Sequence, residues 1–195
     1  DVEVRGPDRA AYANLDAPLT TISMIQGAAL GGGFEAGISS SVIVAERGVQ
    51  LGMPEILFNL FPGMGAYSFL ARRVHPIEAE RMILSGQMWT ADELYHKGLV
   101  DLVAEPGTAP QVVMDYVRRQ ERAGIGTLGL IRARQRISPI SFDELLDVAM
   151  IWADSALRLG ERELRIMDRL VRTQNRNFGL GPPDADASHV IPLLG

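Results

Sequence analysis

Cysteine is missing from all 195 residues. A disulfide framework and a thiolate metal site are therefore both excluded, and the lack fits a reducing, cytoplasmic setting. Basic excess is also missing. Nineteen Lys and Arg face 24 Asp and Glu, for a net charge of −5, so the electrostatic footprint of a nucleic-acid binder is absent. No run approaches the ~18 apolar residues of a membrane span. The three histidines, His75, His96 and His189, are scattered and form no H-E-x-x-H pair, so neither a metal site nor a metal cofactor is expected. There is no G-x-S-x-G nucleophile elbow, no internal repeat and no low-complexity segment. The opening Asp1-Val2-Glu3-Val4-Arg5 is not a signal peptide and lacks an initiator Met, so the true N-terminus is expected upstream.

What is present is ordinary globular material, 47% hydrophobic and 22% charged, enough for one domain or one domain with a helical appendage. Leu19–Ile25 is rich in β-branched residues and predicts a strand. Gly27–Gly33 then predicts a turn, because three successive glycines cost too much entropy inside a helix. A short helix is expected over Phe34–Ile38, and strands over Val42–Ala45, Val49–Met53 and Leu99–Val103. Leu60–Gly65 reads as a loop around Pro62-Gly63. Thr90-Ala91-Asp92-Glu93 and Ser141-Phe142-Asp143-Glu144 are capping boxes that open helices. The first of these helices ends at Lys97-Gly98, and Gly160 breaks the second. Strands alternating with short helices predict an α/β layered core.

Two features can carry chemistry. Gly31-Gly32-Gly33-Phe34-Glu35 lies between a strand and a helix, where amide N–H groups lack intrahelical partners and favour an anion or a developing oxyanion. Phe34 stands where a P-loop needs Lys. A relaxed dinucleotide pattern does fit, as Gly31-x-Gly33-x-x-Ala36 with Glu55 about twenty residues on, but Gly37 and Ser39-Ser40-Ser41 stop the helix early. The oxyanion reading gains without excluding the other, and a plain tight turn stays open beside both. The second feature is Glu55, set among Met53, Ile56, Leu57 and Phe58. Like Glu35 beside Phe34, it is an acid in apolar company, which raises a carboxyl pKa and suits proton transfer near neutral pH. An ordinary cap or ion pair is the alternative for each, and a spacing of twenty residues does not by itself bring them together.

The stretch Ile25-Gln26-Gly27-Ala28-Ala29-Leu30-Gly31-Gly32-Gly33-Phe34-Glu35 resembles the oxyanion motif of the crotonase (enoyl-CoA hydratase/isomerase) superfamily. Met53-Pro54-Glu55 resembles its second catalytic glutamate motif, and Phe61-Pro62-Gly63-Met64-Gly65 its Pro-Gly loop. Leu84-Ser85-Gly86-Gln87, Thr90-Ala91-Asp92-Glu93 and Gly98-Leu99-Val100-Asp101 resemble landmarks that follow in the same order. Narrower likeness, over Leu57–Tyr67 and over Ile151–Val171, is to the synthases of diffusible signal factors, which make cis-2-unsaturated fatty acid signals in quorum sensing.

The resemblance implies an α/β fold with a ββα spiral core over residues 1–105, a C-terminal helical trimerisation region over 106–176 and an irregular tail over 177–195. It implies a homotrimer or hexamer, a substrate carried as an acyl-carrier-protein or CoA thioester, no separate cofactor, and a sensor protein as a regulatory partner. Glu35 and Glu55 become the catalytic pair, Gly32 N–H an oxyanion donor and Gly63 N–H an aid in placing water or hydroxyl. Met64, Trp152 and Leu170 would line the acyl pocket. The reaction implied is dehydration of a 3-hydroxyacyl thioester, with hydrolytic release of the free acid as an added step. A generic enoyl-CoA hydratase or isomerase is the alternative, and a catalytically silent scaffold is the rival from another class. In one respect the sequence departs from the family. Crotonases carry early ββα units and a loop supplying the second oxyanion N–H, whereas only eighteen residues precede the Leu19 strand here.

Overall fold

The structure, a computed structural model, describes residues 20–177. Leu19, the stretches 1–18 and 178–195 and His189 lie outside them.

Among the described residues, two three-stranded sheets form the core. The first joins β1 (Ile22–Ile25), β3 (Val42–Glu46) and β6 (Leu102–Ala104), all parallel, with Ile22 opposite Val42 and Val44 opposite Leu102. Every residue of β3 is buried, as a central parallel strand covered on both faces requires. The second sheet joins β2 (Ala29–Leu30), β4 (Gln50–Gly52) and β5 (Met88–Thr90). There β2 runs parallel to β4, and β5 antiparallel to it. Neither β2 nor β5 was expected. The first hides in the glycine-rich stretch read as a turn, and the second is three residues long.

Between the strands lie α1 (Gly32–Ile38), a 3₁₀ turn at Glu55–Phe58, α2 (Ala66–Leu70), α3 (Pro76–Ser85) and α4 (Ala91–His96). Helix α1 starts two residues before the expected Phe34, and Gly32 and Gly33 form its first turn. Glycine entropy opposes a helix interior, but a first turn anchored from behind tolerates it. Here Gly31 N–H donates to the Gly52 carbonyl at 2.9 Å. Phe34 and Ile38 face the core, which also holds Leu51, Phe69, Leu94 and Leu99.

Thr90 caps α4 with the complete reciprocal box to Glu93. At Ser141 only half of the expected box forms. The hydroxyl accepts Glu144 N–H at 3.0 Å, while the Glu144 carboxylate turns to Arg72 in a two-bond fork of 2.9 and 2.8 Å. A fork with guanidinium is stronger than a bond to one cap amide.

Two long helices follow the sheets. Helix α5 (Ala109–Ile137) is kinked at Gly124, whose φ is +57°, and α6 (Phe142–Ala156) buries Leu145 in the core. The chain divides into two compact units, residues 1–157 and 158–195. Within the second, α7 (Glu161–Asn177) carries an apolar stripe of Leu164, Met167, Leu170 and Val171. Its polar side is laced by Arg165–Glu161 and Arg172–Asp168 pairs four residues apart.

Among the described residues, no helix is long and apolar enough to cross a membrane. Nor does any group of three His, Asp or Glu side chains there suit a metal ion.

Candidate active site

The parallel pairing of β2 with β4 explains how the two glutamate motifs meet. Ala29 pairs with Leu51 and Leu30 with Gly52. Both strands point the same way, so the segments that leave them, Gly31-Gly32 and Met53-Pro54-Glu55, emerge at the same edge. The offset of 22 positions in that register is what the bare spacing of the two motifs did not reveal.

Gly31 is the hinge of this arrangement. Its φ is +54°, a region that side chains rarely adopt. A Cβ built there would stand 2.5 Å from Oε1 of Glu55. The glycine thus permits both the turn into α1 and the close approach of the second carboxylate to the loop. The N–H groups of Gly32 and Gly33 open α1 and have no intrahelical acceptor.

Glu35 lies on α1 and is only 3% exposed. Its Oε2 accepts two backbone amides, Met64 N–H at 2.7 Å and Ala66 N–H at 3.1 Å. These belong to the loop and first turn that open α2. A buried carboxylate needs such donors, because desolvation otherwise favours its neutral form. The Met64 side chain returns the contact. Its Cε would lie 2.6 Å from a Cβ on Gly32, so the thioether covers the start of the glycine helix.

Glu55 is held differently. It opens the 3₁₀ turn after Pro54, and its Oε2 is buried without a hydrogen-bond partner. Burial pushes its carboxyl above the ordinary value. The two acids therefore have unlike surroundings, Glu55 against Gly31 and Glu35 against the amides of Met64 and Ala66. One is fixed by amides, and the other is desolvated and more basic than a free carboxylate. Such a split is the pattern of an acid and base pair.

The remaining expected residues fall as follows. Gly63 lies under Trp152 of α6. A Cβ at Gly63 would overlap the indole, 2.7 Å from its Cδ2, so the aromatic ring backs the Pro62–Gly65 loop. Leu145 of the same helix presses Cδ2 to within 2.5 Å of a Cβ position on Gly65. Leu170 belongs to the second unit, on the apolar stripe of α7. His75 caps α3 by accepting Ile77 N–H, and His96 packs edge-on against Tyr95.

Sequence reasoning missed the amides of Met64 and Ala66 and the Arg72–Glu144 fork. The Pro-Gly turn pointed to the first. Nothing in a separation of 72 residues pointed to the fork.

A family model described as enoyl-CoA hydratase/isomerase matches residues 6–122. The Rhizobium meliloti (strain 1021) protein named "Probable enoyl-CoA hydratase" is 38% identical over 94 residues, 48% of this chain and 36% of that one. The 2,3-dehydroadipyl-CoA hydratase of Escherichia coli (strain K12) is 28% identical over 160 residues, 82% of this chain and 57% of that one. The chain thus spans between about a third and somewhat over half of these two relatives. Among solved structures, Pseudomonas aeruginosa DspI superposes with a TM-score of 0.59 at 27% identity, covering 67% of this chain and 49% of that one.

Proposed function

Since the chain belongs to the enoyl-CoA hydratase/isomerase family, we propose that it moves water on or off an acyl thioester, with Glu35 and Glu55 handling the protons. The observation that carries this reading is the contrast between the two carboxylates, one tied to two amides and one buried without a partner on Oε2. In the dehydration direction Glu55, made more basic by burial, takes the C2 proton. The electron pair moves into the thioester as an enolate, whose oxygen accepts the Gly32 N–H. The enolate pair then forms the C2=C3 double bond as the C3–O bond breaks, and Glu35, entering the step in its protonated form, delivers its proton to the departing hydroxyl, releasing water. Removing one oxyanion donor typically costs about 10²–10³ in rate. Gly63 N–H helps to place the water or hydroxyl.

The finer reading is a dehydratase that forms a cis-2-unsaturated fatty acid from a 3-hydroxyacyl thioester, with release of the free acid by hydrolysis. The likeness of Leu57–Tyr67 and Ile151–Val171 to signal-factor synthases supports it, as does the likeness to DspI. Met64 and Trp152, both set against the glycines of the site, suit the wall of an acyl pocket. A trimer fits the apolar side chains left exposed on α5 and α6, among them Ile125, Leu130, Ile137 and Met150. Carrier-protein thioesters are the proposed substrates, and a sensor protein the proposed regulatory partner.

The test is turnover by purified full-length protein on CoA and carrier-protein thioesters side by side, with mass spectrometry of the products. Cis-2-enoic acids from carrier-protein substrate support the finer reading. Trans-enoyl-CoA hydration alone returns it to a general hydratase. No turnover on either carrier leaves a silent scaffold.

A further inference from the structure

At the end of α1 remote from the glycine loop, a cavity of about 200 Å³ opens between the α1–β3 turn, the end of α2 and the last turns of α5. That is the share of roughly seven waters in the liquid. It is too small for a long acyl chain and suited to a compact anion.

Three guanidiniums line it, those of Arg72, Arg73 and Arg134, with Ser41 and the apolar side chains of Ile131 and Ile140 beside them. Two carboxylates answer the three charges. Glu144 is consumed by the Arg72 fork. Asp101 takes Arg73 Nη1 at 3.2 Å while also accepting Ile43 N–H at 2.7 Å. Among the described residues, Arg134 reaches the Ser41 carbonyl, at a long 3.5 Å, and pairs with no carboxylate. The lining thus carries one more positive charge than the described carboxylates answer.

The strain of this arrangement falls on Arg73, whose side chain is 14% exposed. Burial lowers its pKa from the ordinary guanidinium value, Asp101 opposes that, and the nearby charge of Arg134 lowers it further. Part of the cluster serves the fold, since Arg73 and Arg134 donate to the Ser40 and Ser41 carbonyls that follow α1. That role needs neither the open volume nor the excess charge.

We propose that this cavity is a second site, separate from the glutamate pair, for a small organic oxyanion held between Arg73 and Arg134. Guanidinium forks match carboxylate and phosphoryl oxygens alike, and the two isoleucines provide an apolar rest for a short substituent. An anion here relieves the repulsion between the two arginines and neutralises the surplus charge. The site stands on its own geometry and does not depend on the dehydration reading.

Isothermal titration calorimetry on the full chain, with butanoate and with inorganic phosphate, tests it. The expected result is saturable binding of one anion per chain. Arg134→Gln weakens it tenfold or more, Arg134→Lys weakens it less, and Glu55→Gln leaves it unchanged. Arg134 is exposed, so its variants keep the wild-type melting temperature. Tighter butanoate binding assigns a carboxylate ligand with an apolar body, and tighter phosphate binding assigns a phosphoryl group. Heats that never saturate with either anion overturn the site. So does binding that Arg134→Gln leaves intact, or that disappears in Glu55→Gln.

Discussion

The Glu35 carboxylate accepts the backbone N–H of Met64 at 2.7 Å, which ties the helix after the glycine loop to the loop that opens α2. With Ala66 as second donor, the carboxylate is both a structural acceptor and a candidate proton carrier, and two substitutions separate these roles. Glu35→Gln keeps an oxygen for the amides but cannot carry the proton. Turnover should fall about 10²–10⁴-fold, the usual worth of general acid–base catalysis, with the melting temperature nearly unchanged. Glu35→Leu strands two buried donors at about 1–3 kcal/mol each, which a lower urea midpoint reports. Near-normal rates in Glu35→Gln would end the paired-carboxylate mechanism.

The contact of Gly63 with Trp152 gives a double-mutant test. Gly63→Ala drives a methyl into the indole, and such overpacking costs about 1–3 kcal/mol. Trp152→Ala removes the ring and leaves space for that methyl. The double variant should therefore be more stable than the sum of the singles by about 1 kcal/mol or more. Additive losses in chemical denaturation would show that the ring does not back the loop.

Much of this architecture is legible in the residues. Thr90-Ala91-Asp92-Glu93 predicts α4 to the residue, because the capping box is a local device and forms in full. The β-branched run of β3 predicts that strand to within one residue, Glu46 being added at its end. The signal fails where tertiary partners decide. Ala29-Leu30 reads as turn, and it becomes a strand only because Leu51 and Gly52 arrive alongside it. Glu144 reads as half of a box, and it leaves that box because Arg72 offers a fork from a turn 72 residues earlier. The site follows the same rule. The acids Glu35 and Glu55 stand out by their apolar neighbours, whereas the approach of Glu55 to the glycine loop depends on the β2–β4 register, which has no local signature.

The Arg72–Glu144 fork holds the start of α6 to the end of α2, with Arg72 Nη2 also donating to the Pro139 carbonyl at 2.7 Å. Both side chains are mostly covered, at 26% and 33% exposure, so solvent screening is incomplete. Arg72→Met should cost about 1.5–3 kcal/mol, the range for hydrogen bonds to charged groups. Pairing it with Glu144→Gln should cost less than the two singles summed. Equilibrium urea unfolding checks both. A cost below about 0.5 kcal/mol for Arg72→Met would place the fork among surface pairs of little consequence.

Glu55 supplies a prediction about pH. Burial holds its folded pKa above the ordinary carboxyl value of 4.5, so the native state keeps this proton to higher pH than the unfolded chain does. Between those two values the unfolded state binds fewer protons, and stability falls as pH rises. The loss is complete above the folded pKa and absent below the unfolded one. Glu55→Gln removes the titration while keeping the shape. The variant should therefore melt above wild type at pH 8, and the gap should close as pH falls below about 4, where both side chains are neutral. Scanning fluorimetry at a series of pH values reads the difference directly. A gap that is constant across that range, or that opens towards acid instead, would show that burial does not raise this carboxyl's pKa, and the assignment of Glu55 as the stronger base would fall with it.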